Sequence, residues 1–390
     1  MDADTQLTRH GAAYAYTSPQ SARFYDSLLG IILPGDKASR SKEISLTCEH
    51  AVLSLLGRIQ AAAAAAGLEA LSLDPKAPVP PAAAASVSAA DLVVRSADLG
   101  CGTGRSLVRG IVDMDEWLSR RPDLAALGVR FEVFGVDHSK AMLDRAAVRL
   151  DKMLPTLELK HPDRFKLRLV HASFGGLTAP DAVITAAWSA GTRINDTSGM
   201  ALPWATGPAL DAAVISGGAV NLLVTEEDNI RMLKEAEKVL LRPHGTLIVP
   251  VLHRQAAFSD STTGIAVLTP AEPGLDACFF ERSLLDRKVE KINGEVSVAT
   301  DTFLLSQHTV VKSSESDESG AEFEAGERIG SAEEKWSIRT TTAAELVRWV
   351  KQHTPGLTVT VLDEIDDPED AVPSSAFYSS ILLVQANGNA

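Results

Sequence analysis

From Leu92 to Leu252 the sequence alternates between short apolar segments typical of β-strands and longer segments with helical spacing of apolar residues. Such alternation is the pattern of a parallel sheet that is covered by helices on both faces. The predicted strands of this region are LVVRSADLG, RFEVFGVD, RFKLRLVHASF, ALDAAVISGG and GTLIVPVL. Two more strands, LTVTVLDEI and FYSSILLVQ, follow a last helix near the C-terminus. We therefore expect an α/β fold with a doubly wound, seven-stranded, mostly parallel sheet.

The remaining segments are predicted to be additions to this sheet. The chain is divided into an N-terminal helical lid with an Ala- and Pro-rich linker (residues 1–90), a core (91–252), a β-rich substrate-side insertion after the fifth strand (253–337), and the last helix and two strands of the core (338–390). A shorter stretch, residues 178–208, interrupts the alternation between the third and fourth strands.

The insertion contains one turn signal and one acidic stretch. Asn293-Gly294, between two alternating segments, predicts a β-hairpin. The stretch SSESDESGAEFEAGERIGSAEE, residues 313–334, is acidic and poor in large apolar side chains, so we expect a solvated loop. The last helix, TTTAAELVRWVKQH, begins with the capping-box pattern of Thr342 and Glu345.

The stretch SADLGCGTGRSL, which follows the first predicted strand, contains three alternating glycines. A phosphate-binding P-loop requires Lys and then Ser or Thr after its last glycine, whereas Gly104 is followed by Arg105 and Ser106. A dinucleotide fingerprint requires G-x-G-x-x-G, and here the third glycine comes one place early. The dinucleotide interpretation is therefore weakened but stays open. Asp98, two places before the first glycine, would repel a phosphate and attract an ammonium group.

An acidic residue followed by alternating glycines after a strand resembles motif I of the class I S-adenosylmethionine-dependent methyltransferases. The resemblance covers roughly Leu92 to Leu252 and resumes from Trp336 to Gln385. It implies the Rossmann-like fold of this family, with S-adenosyl-L-methionine as cofactor and S-adenosyl-L-homocysteine as product. It also implies that Asp98 orients the cofactor's amino group. The cofactor would approach the backbone closely at the small residues of the loop, which are Gly100, Cys101, Gly102 and Gly104.

The end of the second strand carries the next part of the resemblance. FGVDHSKAMLDRA places Asp137 where the family accepts the two ribose hydroxyls, in a charge-assisted pair of hydrogen bonds. The resemblance implies that His138 contacts the cofactor and that Met142 packs on the adenine. Many members have an Asp after the third strand, but VHASFGG departs from this pattern. Ser173 and Phe174 stand there instead as candidate adenine contacts.

Two further segments resemble cofactor-binding parts of the family. Ser216, Gly217 and Gly218, at the end of the fourth strand, would line the methionine part of the cofactor. AAYAYTSPQSARFYDSLLG resembles the lid of small-molecule members, so Tyr16 and Tyr25 are expected to close over the site. A helix packed on the sheet edge is the alternative interpretation of this segment.

The resemblance implies methyl transfer to an oxygen or nitrogen atom of a small-molecule metabolite, as in secondary metabolism. His253, directly after the fifth strand, is the candidate general base for an acceptor that carries a proton. The fourth strand lacks the NPPY-type tetrad of amino-directed nucleic-acid enzymes. Two alternatives stay open: an enzyme of this fold that keeps the cofactor for cyclase or pericyclase chemistry, and a non-catalytic S-adenosylmethionine-binding protein.

The composition favours a small-molecule substrate and argues against nucleic-acid and membrane partners. The 37 Lys and Arg residues against 51 Asp and Glu residues give a formal net charge of −14, which repels nucleic-acid phosphates. There is no apolar run of about 18 residues, and so no expected membrane span. The three cysteines are far apart, which suits a reducing, cytoplasmic location and predicts no metal site. The oligomeric state is left open, with a homodimer among the alternatives.

Overall fold

The computed structural model describes residues 22–25, 36–68, 77–252, 265–269, 276–292, 296–312, 323–364 and 378–387. The helices of these residues are α1 (Asp36–Ala65), α2 (Pro81–Ala85), α3 (Arg105–Ser119), α4 (Pro122–Leu127), α5 (Lys140–Met153), α6 (Glu226–Val239) and α7 (Ala343–His353). The strands are β1 (Val93–Leu99), β2 (Arg130–Asp137), β3 (Phe165–His171), β4 (Val183–Ser189), β5 (Thr192–Ile194), β6 (Ala212–Ile215), β7 (Thr246–Leu252), β8 (Ile265–Thr269), β9 (Cys278–Ile292), β10 (Val296–Lys312), β11 (Phe323–Arg339), β12 (Leu357–Glu364) and β13 (Tyr378–Ala386). Residues 22–25 form one helical turn, and the 3-10 turn Ser216–Leu222 follows β6.

β1 lies at the centre of a nine-stranded sheet with the order β12-β13-β7-β6-β1-β2-β3-β4-β5. The strands from β7 to β3 in this order pair in parallel, and of the nine only β4 and β13 run in the opposite direction. The predicted mostly parallel sheet is confirmed, but the predicted count of seven strands is wrong. The two extra strands, β4 and β5, form an antiparallel hairpin on the edge strand β3, within the stretch 178–208.

Side chains of the central strands alternate between two hydrophobic cores, one on each face of the sheet. In β2, Phe131 and Val133 belong to the core that contains residues of α1, α3 and α5. Phe134 and Val136 belong to the other core, which contains residues of α6 and α7. A strand buried on both faces needs apolar residues at successive positions, which explains the near-continuous apolar run of RFEVFGVD. The helices thus cover both faces of the sheet, as expected for a doubly wound fold.

The first part of the chain has a packing role that the lid prediction for residues 1–90 does not describe. Leu55 and Ile59 of α1 are buried in the first core, against the face of the main sheet. α1 therefore belongs to the layer of helices that covers the sheet. Of the helices in the described ranges, none is both long and apolar enough to cross a membrane.

Four strands within and just beyond the predicted insertion form a second, antiparallel sheet with the order β11-β10-β9-β8. Ile292 pairs with Val296, as the predicted hairpin requires. The loop predicted for residues 313–334 is wrong from Phe323 onward, because β11 begins there and pairs with β10. β11 is an edge strand, so its backbone pairs only with β10. Side chains alternate between the two faces of the strand, and acidic side chains on one face, such as Glu333, are exposed.

The second sheet is anchored to the main sheet at the end of β11. The side-chain amide of Asn221, in the turn after β6, donates to the backbone oxygen of Arg339 at 2.8 Å. The buried Arg339 guanidinium donates to the backbone oxygen of Val224 at 3.3 Å and to the Glu345 carboxylate at 2.8 Å. Glu345 also completes the predicted capping box with Thr342 at the start of α7. The end of β11, the turn after β6 and α7 are therefore held as one unit.

Candidate functional site

The strand order changes direction at β1, whose neighbours in the sheet are β2 on one side and β6 on the other. In open α/β sheets, such a switch point leaves a crevice outside the carboxyl ends of the strands, and ligands bind there. The segments after β1, β2, β3 and β6 begin at this edge and contain most of the predicted cofactor residues. The candidate site is built from these four segments.

The loop after β1 is a tight turn that favours glycine. Gly100, Gly102 and Gly104 have φ angles of +79°, +52° and +77°, in the left-handed region that side chains with a Cβ rarely adopt. The backbone amides of Gly100 and Cys101 donate to the backbone oxygen of Val136 at 2.8 and 3.0 Å, which ties the loop to β2. Gly104 is the N-cap of α3, so the loop leads directly into the helix.

Two aromatic side chains lie against this loop. A Cβ atom built on Gly100 would lie 3.0 Å from Cζ of Phe174 and 3.3 Å from Cβ of Ala219. A Cβ atom built on Gly102 would lie 3.6 Å from Cε1 of Tyr25. The structure thus brings Phe174, which follows β3, and Tyr25, in the helical turn 22–25, to the glycine loop. Their contact with a cofactor stays a prediction.

Asp98 in β1 is 5% exposed and links two segments of the site. The hydroxyl of Ser216 donates to one carboxylate oxygen at 2.5 Å, and the hydroxyl of Ser106, in the first turn of α3, donates to the other. Ser106 was not among the site residues predicted from the sequence. The available signal was its position, two residues after the last glycine, where a hydroxyl can reach back to the end of the strand.

Asp137, at the end of β2, is 6% exposed and is held by backbone amides. The amide of Gly102 donates to one carboxylate oxygen at 2.9 Å and that of Ser139 to the other at 2.8 Å. Ser139 is the N-cap of α5, because its hydroxyl accepts the amide of Met142. The helix cap at this position is therefore Ser139, which was not predicted from the sequence although Ser before a helix is a common cap signal. Asp137 does not cap α5, and its carboxylate contacts the glycine loop at Gly102.

The other predicted site residues have varied positions. His138 lies beside Asp137, with 3.6 Å between its Nδ1 and a carboxylate oxygen, and its backbone oxygen is 2.9 Å from Nε2 of His171. Met142 is buried in the first turn of α5, whereas Ser173 is exposed. Gly217 and Gly218 lie in the turn after β6. Tyr16 and His253 lie outside the described residues, so their predicted roles stay predictions.

The Cys101 thiol, within the glycine loop, is buried and protonated at neutral pH. Burial raises its pKa well above the usual range, and the nearby carboxylates of Asp137 and Asp98 raise the pKa further. A thiolate is the nucleophilic form of cysteine. Cys101 is therefore a small packing residue of the loop.

The two buried carboxylates decide which ligand chemistry suits the site. Asp98 and Asp137 bring negative charge to a glycine loop that offers backbone groups at close range. A phosphate in this loop would be repelled, whereas an ammonium group or a pair of hydroxyls would form charge-assisted hydrogen bonds. These groups belong to a nucleoside with an amino-acid end, so the residues present fit S-adenosylmethionine.

No protein-family model matches the chain, and no curated protein sequence matches it. Among solved structures, the chain is similar to an S-adenosylmethionine-dependent methyltransferase from Methanosarcina mazei. The identity is 11%, 80% of this chain and 99% of that chain are covered, and the TM-score is 0.34.

Two other similar structures have TM-scores of 0.25. The first is described as the conversion of a disulfide bond into a thioacetal group during echinomycin biosynthesis, with 15% identity over 70% of this chain and 87% of that chain. The second is loganic acid methyltransferase with SAH, with 14% identity over 54% of this chain and 56% of that chain. Similarities this distant are no evidence for the activity of this chain.

Proposed function

We propose that this protein is an S-adenosylmethionine-dependent methyltransferase that acts on an oxygen or nitrogen atom of a small molecule. The observation that carries the proposal is the pair of buried carboxylates, Asp98 and Asp137, on either side of a glycine loop at the switch point of the sheet. The spacing of these residues also supports it, because it resembles motif I and the ribose-binding position of that family.

In this proposal, the carboxylates of Asp98 and Asp137 each bind one part of the cofactor. Asp137 accepts the two ribose hydroxyls with lone pairs left free by the amides of Gly102 and Ser139. Asp98, held in place by Ser106 and Ser216, orients the amino group directly or through water. When bound, S-adenosylmethionine supplies a methyl group on a positively charged sulfur, which is ready for in-line displacement.

In this proposal, the aromatic residues at the loop exclude water from the site. Tyr25 lies against Gly102 and Phe174 against Gly100, so both can cover a ligand that lies on the backbone between them. Excluding water strengthens the electrostatic interactions inside the site and prevents hydrolysis. The acceptor then needs alignment with the methyl group and, if it carries a proton, a base. His253 stays a candidate for that base.

The experiment uses S-adenosylmethionine labelled on the methyl group and a mixture of small hydroxyl- and amine-bearing metabolites. We expect labelled product and an equal amount of S-adenosylhomocysteine. An acceptor that changes without gaining label would overturn methyl transfer and favour the cyclase or pericyclase alternative. Cofactor binding without any change in the acceptors would favour a non-catalytic binding protein.

A further inference from the structure

The second sheet carries a buried cation between two aromatic rings. The guanidinium carbon of Arg282 lies 3.7 Å from the centroid of the Phe303 ring and 4.0 Å from that of Trp336. The two rings meet edge to face, with centroids 5.5 Å apart. Only 1% of Arg282 is exposed. These contacts hold the guanidinium plane rigidly, as suits a group that positions a ligand.

A buried carboxyl group belongs to the same cluster. Glu334 of β11 pairs in register with Phe303 of β10 and is 6% exposed. Burial raises the pKa of Glu334 to about 7, although Arg282 and the Trp336 indole lower it. Within the described residues, neither carboxyl oxygen makes a hydrogen bond of ordinary geometry. Buried polar atoms of this kind are rare, and a catalytic role is one of their recognised explanations.

This cluster lies on the inner face of the second sheet, which we define by Phe280, Arg282, Phe303, Leu305, Glu334 and Trp336. These residues alternate along β9, β10 and β11 and are matched by the strand register, so they share one side. Period-two alternation places the intervening residues, such as the exposed Glu333, on the opposite side.

Two contacts connect the second sheet to segments of the candidate site. At one end, three residues after Trp336, the backbone of Arg339 is bonded to Asn221 in the turn that begins with Ser216. At the other end, Phe24 packs with Phe280 and Leu305. The residue after Phe24 is Tyr25, which lies against Gly102. One end of the second sheet is therefore bonded to the turn after β6, and the inner face is connected to the glycine loop through the helical turn 22–25.

We propose that Glu334 is the proton acceptor of the methyl-acceptor site and that the acceptor is a neutral, phenol-type hydroxyl group. This inference rests on the proposed methyl transfer. Glu334 removes the proton from the hydroxyl group, and Arg282 stabilises the negative charge that develops on the oxygen. Arg282 and a charged Glu334 together carry no net charge, so an ion of either sign is attracted by one group and repelled by the other, whereas a neutral hydroxyl group can donate to Glu334 and accept from Arg282. A carboxylate would also need no base.

The acidity that the methyl acceptor needs favours phenol-type hydroxyls over aliphatic alcohols. A base is effective when its proton affinity is close to that of the group it deprotonates. A phenol, with a pKa of about 10 as in tyrosine, is within reach of a carboxylate whose pKa is about 7. An aliphatic alcohol holds its proton far more tightly.

The atoms and charges of the step balance. The hydroxyl proton moves to a carboxylate oxygen of Glu334, and the acceptor oxygen forms a bond to the methyl carbon. The carbon–sulfur bond breaks, and its electron pair stays on sulfur. The products are a methyl ether and neutral S-adenosylhomocysteine, and protonated Glu334 then releases its proton to solvent.

The test compares three naphthalene probes that differ only in the polar group: 2-naphthol, 2-(aminomethyl)naphthalene and 2-naphthoate. Binding of each probe to the full chain, saturated with S-adenosylhomocysteine, is measured by calorimetry. We expect 2-naphthol to bind about tenfold or more tightly than the other two. Equal binding of the three, tighter binding of the amine or the carboxylate, or no binding of any would overturn the inference.

Glu334→Gln and Glu333→Gln form a matched pair of variants on neighbouring positions of β11. We expect Glu334→Gln to weaken 2-naphthol binding about tenfold, since the charged acceptor is lost. Glu333→Gln, on the opposite face, should change it by no more than about twofold. Equal effects of the two substitutions on 2-naphthol binding would overturn the assignment of Glu334.

A pH series on the unmodified protein covers the case in which Glu334→Gln does not fold. Among the described residues, the other charged groups on this side include Arg282, Arg287 and Asp301, and the last two form an ion pair at 2.7 Å. Arg23, next to Phe24, acts electrostatically on Cys278 of the same face. Affinity for 2-naphthol should fall as the pH is lowered through about 7, the pKa of Glu334; a flat profile would overturn the inference. If S-adenosylhomocysteine itself does not bind, the proposed function fails, whereas bound S-adenosylhomocysteine without 2-naphthol selectivity means that only this inference fails.

Discussion

Gly100 and Gly199 have the same φ angle, +79°, but very different surroundings. A Cβ at Gly100 would lie 3.0 Å from the Phe174 ring, whereas a Cβ at Gly199 would have no atom of the described residues within 4 Å. We expect Gly100→Ala and Gly199→Ala to cost about 1 kcal/mol each in backbone strain, with a further loss at Gly100 from the displaced ring. Only Gly100→Ala should weaken S-adenosylhomocysteine binding in calorimetry. Equal affinities of the two variants would show that the loop does not contact the cofactor.

The raised pKa of Glu334 predicts a pH dependence of stability that does not involve a ligand. Its pKa rises from 4.5 to about 7 on folding, so between these values the native state binds more protons than the unfolded state. Stability is therefore lost as the pH rises from about 4.5 to about 7. Above that range the charged group costs up to about 3 kcal/mol.

We expect Glu334→Gln to raise the free energy of unfolding by about 1–3 kcal/mol near pH 8, and to change it little near pH 4. Urea unfolding at both values measures the difference, and Glu333→Gln is the control. A Glu334→Gln protein that is less stable at the higher pH would contradict a buried, costly carboxylate.

Single residues were predictable from sequence where a local pattern fixes their place. Asp98 and Asp137 each sit at a strand end beside a recognisable loop, and the structure buries both there. Arg282 and Glu334 are brought together by pairing between β9, β10 and β11. They are far apart in sequence and lie among many other charged residues, so no local signal distinguishes them.

At the scale of elements, the helical turn 22–25 contacts both the glycine loop and the second sheet. Phe24 is buried against Phe280 and Leu305, and the next residue, Tyr25, lies against Gly102. We expect Phe24→Ala to cost about 3 kcal/mol of stability and also to weaken S-adenosylhomocysteine binding. Leu285→Ala, at a position 51% exposed, is the control. Lost stability with unchanged affinity would show that the turn does not position Tyr25.

The strands and helices of the main sheet follow local patterns, which is why most were predictable. β2 contains the apolar run VFGV, residues 133–136, and Thr342 with Glu345 marks the start of α7. The hairpin β4–β5 and the first half of β11 were not predictable in this way. They lie at sheet edges, where pairing with a neighbouring strand decides the structure and the side chains do not.

For the whole molecule, Asp211 anchors α1 to the main sheet. It lies just before β6 and is buried, and it accepts hydrogen bonds from the Ser54 hydroxyl at 2.6 Å, the Arg95 amide at 2.7 Å and the Arg58 guanidinium. We expect Asp211→Ala to lower the free energy of unfolding by about 3–5 kcal/mol, because Arg58 loses its ion-pair partner and keeps only the backbone oxygens of Asp91 and Val93 as acceptors. Asp163→Ala, at an exposed position, should change it by less than about 0.5 kcal/mol. Similar stabilities of the two variants in urea would contradict this anchoring role.

The central claim is that the loops after β1, β2 and β6 bind S-adenosylmethionine, and calorimetric titration with S-adenosylhomocysteine tests it most directly. The account predicts saturable binding at one site per chain. Asp137→Ala should weaken binding about tenfold or more, because two charge-assisted hydrogen bonds are lost, whereas Asp163→Ala should not change it. No binding to the unmodified chain, or equal binding to Asp137→Ala, would contradict the account.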